Sequence, residues 1–292
     1  MAFHWKTFRT RALTALIFVA VMLTGLLLNY WSFFILFSII HFGCWFEYQK
    51  LVGQIDPGYR EISVFHKYGV MIAGWCLMLY FSNGTYNLFE IRLHEIGWWL
   101  GLLFIFVLPI AELLFARQVQ PKNIGHSFFG LVYISLSLAL MIELRSRFMS
   151  VDFIVAKADF GLIIPLLIIA SLWINDTMAY IIGSLIGKTP LSKISPKKTW
   201  EGTVGGILLA IIAISVFWYF MFPGSNWYAV AIIVGISSIA GTFGDLLESK
   251  LKRMAGVKDS GHIMPGHGGF LDRFDSLLLA VPFVWLYVYF FV

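Results

Sequence analysis

The chain has 292 residues, 59% of them hydrophobic and 13% charged, with a net charge of +5 and a mean hydropathy of +0.82. Soluble domains carry about a quarter charged residues, so this composition excludes an ordinary soluble fold. Cys44 and Cys76, the only cysteines, lie in apolar runs. A disulfide framework and a thiolate zinc site are thereby excluded, leaving oxygen ligands for any metal.

A helix crosses the hydrocarbon core with about 20 apolar residues. Residues 12–46 carry no charge, enough for two compact spans with a turn at Asn29-Tyr30. Further apolar runs cover 68–82, 97–116, 127–144, 160–186, 203–222, 227–247 and 276–292, for nine expected spans. None alternates like a barrel wall, and backbone amides in lipid must pair within their own segment, so the expected fold class is an all-α polytopic membrane protein. Residues 1–158 form about five structural spans, and 159–292 form the C-terminal spans with the chemically active loops.

Cation placement tests the count. One side of a nine-span chain receives Lys6, Arg9, Arg11, Lys50, Arg60, Lys67, Arg117, Lys122, Lys188, Lys193, Lys197, Lys198, Lys250, Lys252, Arg253, Lys258 and Arg273. The other receives Arg92, Arg145, Arg147 and Lys157. A split of 17 to 4 puts the N-terminus and the two richest loops in the cytoplasm. The apolar run after Lys6, Arg9 and Arg11 has no small-x-small cleavage site before Asn29, so it reads as a retained helix rather than a signal peptide. The first half is expected to be chemically quiet.

Three clusters carry the chemistry. Asn175-Asp176-Thr177 interrupts an apolar run, followed by Ala179-Tyr180 and Gly183. An ionised Asp near a helix centre costs roughly 2.5–3.5 kcal/mol on insertion scales. Asp176 therefore faces a polar cavity or a partner, or else snorkels from the end of a tilted helix. The second cluster is Ser192-Lys193-Ile194-Ser195-Pro196-Lys197-Lys198-Thr199-Trp200-Glu201-Gly202. Its lysines would serve as topology determinants, but hydroxyls, ammonium groups and free amides at a helix start are also what a polyphosphate needs. The third runs from Gly244 to Asp275. Asp245, Glu248 and Ser249 share a helical face, Lys252 and Arg253 follow one turn on, and then come Lys258-Asp259, Pro265-Gly266-His267-Gly268-Gly269 and Asp272-Arg273-Phe274-Asp275.

Carboxylates without cysteine suit Mg²⁺, which is held by one or two carboxylates plus substrate phosphates. The basic groups suit phosphate oxygens. Together they fit metal-assisted phosphoryl or nucleotidyl transfer. His267 reads equally as a proton carrier and as a partner for a phosphate or for its own loop.

The run Ser249-x-Leu251-Lys252-Arg253, Lys258-Asp259 and Pro265-x-His267-Gly268-Gly269-x-x-Asp272-Arg273-x-Asp275 resembles the signature of the phosphatidate cytidylyltransferases. The segments 195–202 and 175–180 are similar to upstream motifs of that family. Met264 stands where the family more often has Leu, Ile or Phe. The resemblance spans about a third of the chain, 175–275. It implies a nine-helix homodimeric enzyme of a membrane, expected to be the bacterial cytoplasmic membrane, that joins CTP to phosphatidic acid and releases pyrophosphate. It also implies Mg²⁺ on Asp245 and Asp272, with Asp275 as a further ligand or a partner of one, and a second, monovalent cation nearby. Ser195, Lys197, Lys198, Lys252, Arg253, Lys258 and Arg273 are the phosphate candidates, with Asn175 and Asp176 beside them. No nucleic-acid partner is expected.

Other classes fit less well. An ion-coupled transporter would show inverted repeats and intramembrane polar residues in both halves. A CTP-dependent polyprenol-type lipid kinase would release CDP instead of pyrophosphate. A CDP-alcohol phosphotransferase would need an Asp-Gly-x-x-Ala-Arg pattern, whereas Asp259 is followed by Ser260-Gly261.

Overall fold

A computed structural model describes residues 5–115, 119–147, 160–263 and 268–292. They form helices α1 (Trp5–Leu27), α2 (Tyr30–Ile55), α3 (Val64–Tyr80), α4 (Leu93–Phe115), α5 (Pro121–Gly130), α6 (Ser137–Arg147), α7 (Phe160–Ile186), α8 (Trp200–Met221), α9 (Trp227–Met254) and α10 (Leu271–Phe291). Strands are limited, among these residues, to a two-residue hairpin, Asn87–Leu88 paired with Ile91–Arg92. Over the described residues, each apolar run of the sequence is mostly helical. The turn at Asn29-Tyr30 is a capping box: the Asn29 side chain accepts from Ser32 N while Ser32 Oγ accepts from Asn29 N.

Among the described residues, seven helical stretches are long and apolar enough to cross a bilayer, with α5 and α6 counting as one stretch through Ser146. The apolar part of α1, Leu13–Leu27, and the 17-residue α3 are shorter. Exposure shows what solvent these helices need. Only 11% of the most apolar window of α4 is buried within the protein, against 72% for the α5–α6 stretch. Beyond Glu95 in its first turn, the uncovered side chains of α4, among them Leu103, Phe106, Ile110 and Leu113, are apolar. In water such a face would be a large unsatisfied patch, and in lipid it is at home. The chain is an all-α polytopic membrane protein.

The chain packs as two compact units, Met1–Ile142 with Leu251–Phe274, and Glu143–Lys250 with Asp275–Val292. In the first, α5 and α6 are joined by one π-helical turn, Leu131–Leu136. Its Ser135 hydroxyl accepts a bond from Trp45 Nε1 at 2.8 Å and lies 3.0 Å from His41 Nε2. Nearby, Ser127 Oγ stands 2.7 Å from His66 Nε2 and 2.9 Å from the Tyr59 hydroxyl, and His66 Nδ1 lies 2.9 Å from Glu112. The first half is therefore not chemically quiet. These residues are buried and bonded to one another, which single-residue hydropathy cannot reveal.

In the second unit α7 and α8 pack along a glycine seam. A Cβ on Gly202 would come within 2.6 Å of Ala179 O, and one on Gly206 within 2.8 Å of both Asn175 O and Ala179 Cβ. Only hydrogen fits at these positions, so the two backbones meet directly. That contact fixes the walls of the site described next.

Candidate active site

The loop between α7 and α8 is a short hairpin. Leu191 N donates to Lys198 O at 2.8 Å, and Trp200 N donates to Thr189 O at 2.9 Å. Its tip is the four-residue turn Ser195-Pro196-Lys197-Lys198, closed by Lys198 N to Ser195 O at 3.1 Å, with proline at the position where a fixed φ is favoured. Thr199 then caps α8, its hydroxyl accepting from Gly202 N at 3.1 Å. The Glu201 carboxylate reaches back to the amides of Lys188 and Thr189, both at 3.2 Å, and pins the base of the hairpin. The alternation of hydroxyl, proline and lysine is thus a folded turn that presents Ser195, Lys197 and Lys198 together.

These side chains line a cavity of about 440 Å³ within the second unit, together with Asn175, Asp176 and Asp245. Three threonines join them: Thr199, Thr203 and Thr242. Lys198 Nζ is 2.6 Å from Asp245 Oδ2, with the two side chains 31% and 28% exposed. A pair this wet contributes roughly 0–1 kcal/mol to stability, so its placement is better explained by a ligand than by folding. Asn175 is buried and Asp176 exposed, with Asn175 Nδ2 3.4 Å from Asp176 Oδ1. Asp176 lines this cavity while remaining exposed.

The remaining candidates divide between the units. Asp275, in the second unit, is buried, and its Oδ1 accepts from Ser276 N at 2.6 Å; it is not among the cavity-lining residues. Gly244 allows α9 to approach there, since a Cβ would meet Asp275 O at 2.5 Å. In the first unit, Asp272 is the hub of the loop before α10. Its Oδ1 accepts from Lys252 Nζ at 2.7 Å, and its Oδ2 accepts from Ser260 N at 2.9 Å and Gly269 N at 2.8 Å, with Ser260 Oγ at 2.9 Å. Arg253, Lys258 and Arg273 are exposed, with Arg253 donating to Val257 O at 3.2 Å. His267 lies outside the described residues.

One residue that the sequence did not flag organises this loop. Glu47, buried on α2, accepts from Phe270 N at 2.9 Å, Leu271 N at 2.8 Å and Ser260 Oγ at 2.7 Å. Its carboxylate thereby caps the start of α10, where two amides have no helical partner. The single Ser260 proton lies between two carboxylates, Glu47 and Asp272, and serves one at a time. A Cβ on Gly261 or Gly269 would collide with the Glu47 carboxylate, and Gly268 holds φ +82° against Asp272. Gly261, Gly268 and Gly269 leave room for the Glu47 and Asp272 carboxylates.

Hard-cation chemistry fits these donors. Asp245 keeps one oxygen beyond the lysine contact, and Asp272 Oδ1 meets a single donor. Among the described residues no cluster of three or more His, Cys, Asp or Glu side chains could form an all-protein metal cage. One or two carboxylates completed by substrate phosphates are the usual arrangement for Mg²⁺.

Comparison with known proteins adds an independent line. Residues 9–291 match the profile of the cytidylyltransferase family. A phosphatidate cytidylyltransferase of Haemophilus influenzae is 31% identical over 302 aligned positions, covering 97% of this chain and 99% of that protein. One of Staphylococcus haemolyticus is 36% identical over 62% of this chain and 74% of its own length. One of a Synechocystis species is 46% identical over 132 residues, which is 44% of each protein, so that likeness spans under half of the relative.

Proposed function

The chain belongs to the cytidylyltransferase family, and on that footing we propose that it transfers the cytidylyl group of CTP to phosphatidic acid, giving CDP-diacylglycerol and pyrophosphate. The observation that carries this reading is the cavity in which Ser195, Lys197, Lys198, Asn175, Asp176 and Asp245 line one space. A phosphatidate oxygen attacks the α-phosphorus of CTP in line. The new P–O bond forms as the α–β bridge breaks, and pyrophosphate leaves with the electron pair. The nucleophile is already anionic at neutral pH, so no strong base is required, and the barrier lies in gathering anions. Lys197 and Lys198 offset that charge, and the hydroxyls of Ser195, Thr199 and Thr203 donate to phosphate oxygens. Lys252, Arg253, Lys258 and Arg273 remain phosphate candidates on the strength of the resemblance alone; none of them lines this cavity.

Asp245 and Asp272 are the proposed Mg²⁺ ligands, as the resemblance implies: Asp245 keeps one oxygen beyond its lysine contact, whereas Asp272 would have to give up its bond from Lys252 to take a metal. When bound, the metal supplies charge stabilisation for the departing pyrophosphate.

Purified protein in detergent, given CTP and phosphatidic acid, is expected to yield CDP-diacylglycerol and pyrophosphate. Release of CDP with a newly phosphorylated lipid would instead mean γ-phosphate transfer and would sink the proposal. Lys197→Gln and Lys198→Gln keep side-chain length and remove charge. Each is expected to raise KM for CTP by at least about tenfold, since a charge-assisted hydrogen bond is worth roughly 1.5–3 kcal/mol. Unchanged CTP kinetics would reduce both lysines to topology determinants.

The 17-to-4 cation split supports an orientation with the N-terminus and the 195–198 turn in the cytoplasm. Both native cysteines are buried, so Ser195→Cys introduces one accessible thiol. It is expected to resist an impermeant maleimide added to intact cells and to react after lysis. Labelling in intact cells would invert the topology.

A further inference from the structure

A second cavity, of about 390 Å³, lies in the first unit where α2 ends and α3 begins, and the proposed reaction makes no use of it. Three of its lining residues are cations: Lys50, Arg60 and Lys67. Among the described residues none of the three has a carboxylate at ion-pairing distance; the Lys67 ammonium lies 5.7 Å above the Tyr68 ring. Of the nearby carboxylates, Glu61 is exposed beside Arg60 and does not line the cavity, and the other two are committed elsewhere. Asp56 is bonded by Lys122 at 2.9 Å, which holds its carboxyl below the usual range, and Glu47 is bound to the loop before α10.

The cavity also offers acceptors. Gln49 is only 6% exposed, and its amide orientation is fixed because Nε2 donates to Lys67 O at 2.9 Å. Its Oε1 and that of Gln54 are buried without a hydrogen-bond donor. A buried unpaired acceptor costs about 1–3 kcal/mol, so two of them lining one cationic cavity call for a ligand that brings hydroxyls as well as negative charge. The site is built for its arginine too. A Cβ on Gly53 would come within 2.9 Å of Arg60 Cγ and 3.6 Å of Nε, so the missing side chain gives Arg60 its path across α2. Phe46, half exposed on the apolar helix that ends here, gives the cavity an apolar flank.

We propose that this cavity binds the headgroup of an anionic phospholipid carrying both a phosphate and a free hydroxyl, at a site separate from the catalytic cavity. Lys50, Arg60 and Lys67 take the phosphate, and Gln49 and Gln54 accept from the hydroxyls. Cationic pockets at the ends of membrane helices hold anionic headgroups in this way. The apolar flank favours a lipid over a soluble phosphate ester of the same chemistry.

The test is native mass spectrometry of the full chain in detergent with phosphatidylglycerol, which is not a substrate of the proposed reaction. One phosphatidylglycerol is expected to remain bound in preference to phosphatidylcholine. Retention should fall by about tenfold or more in the triple variant Lys50→Gln/Arg60→Gln/Lys67→Gln. Gly53→Ala, which keeps every cation but crowds Arg60, should lose a smaller share and guards against a triple variant that fails to fold. Lys197→Gln/Lys198→Gln should retain the lipid like the parent protein. Equal retention in the parent and the triple variant would overturn the site, as would loss confined to the catalytic lysine variant. Displacement by equimolar glycerol 3-phosphate would overturn the lipid as the source. None of these readings depends on turnover, so they stand apart from the fate of the proposed reaction.

Discussion

Asp245→Asn is expected to leave a folded protein whose turnover falls by two to three orders of magnitude. The fold should survive because the ion pair with Lys198 is nearly a third exposed on both sides, so solvent takes over when the partner is neutralised. The helix should survive because Asn replaces Asp without changing volume. Catalysis should not. Losing one preorganised electrostatic contact to a developing oxyanion typically costs about 10²–10³ in rate, and the loss of a proposed metal ligand would fall in that class. The measurement is CDP-diacylglycerol formation across a Mg²⁺ titration, beside a thermal melt of the same preparation. A metal ligand lost shows as a weakened Mg²⁺ dependence together with a lower plateau. Normal activity with an unchanged metal curve would make Asp245 a salt-bridge partner only. The same titration on Asp272→Asn reads differently. Its carboxylate is bonded by Lys252, Ser260 and Gly269, so a loss of stability should accompany any loss of rate.

Glu47→Ala is expected to lower both stability and turnover. The substitution strips a partner from Ser260 Oγ, Phe270 N and Leu271 N in one step. Orphaned buried donors cost about 1–3 kcal/mol each, and partial access of water should bring the total to roughly 2–4 kcal/mol. Glu47→Gln should recover little. The glutamate accepts through both oxygens, whereas a glutamine must turn its NH₂ towards one of the same donors. Gly269→Ala attacks the contact from the other side by driving a Cβ into the carboxylate, and should produce a similar fall in melting temperature. A Glu47→Ala protein that melts and turns over like the parent would mean that the 260–271 loop is held by Asp272 alone.

The parts that were legible in the sequence are those whose signal is local. Asn29-Tyr30 marks a helix boundary because a cap acts over three residues. The hairpin tip could be read because Ser195-Pro196-Lys197-Lys198 combines a turn-forming residue with chemistry that hydropathy does not demand. Thr242 was missed although it sits three residues before Asp245 on α9, a spacing that places both on one face. Glu47 was not legible. Its spacing to Lys50 suits an ordinary surface pair of the i,i+3 kind, yet the structure turns Glu47 inward to a partner 213 residues away and leaves Lys50 exposed. The basic cavity at the end of α2 escaped for a related reason. Lys50, Arg60 and Lys67 satisfy the positive-inside pattern so well that nothing in the sequence asks for a second role.

The glycine seam between α7 and α8 bears on how such a protein can diverge. Where Gly202 and Gly206 press against Ala179 and Asn175, the contact between the helices is made largely by main chain, which is the same whatever the sequence says. Point substitution there can only add bulk and push the helices apart; it cannot carve a different shape. The cavity lining is easier to vary at Ser195, Thr203 and Thr242 than at Thr199, whose hydroxyl also caps α8. A library built on those three positions changes the lining while leaving the contact between α7 and α8 in place.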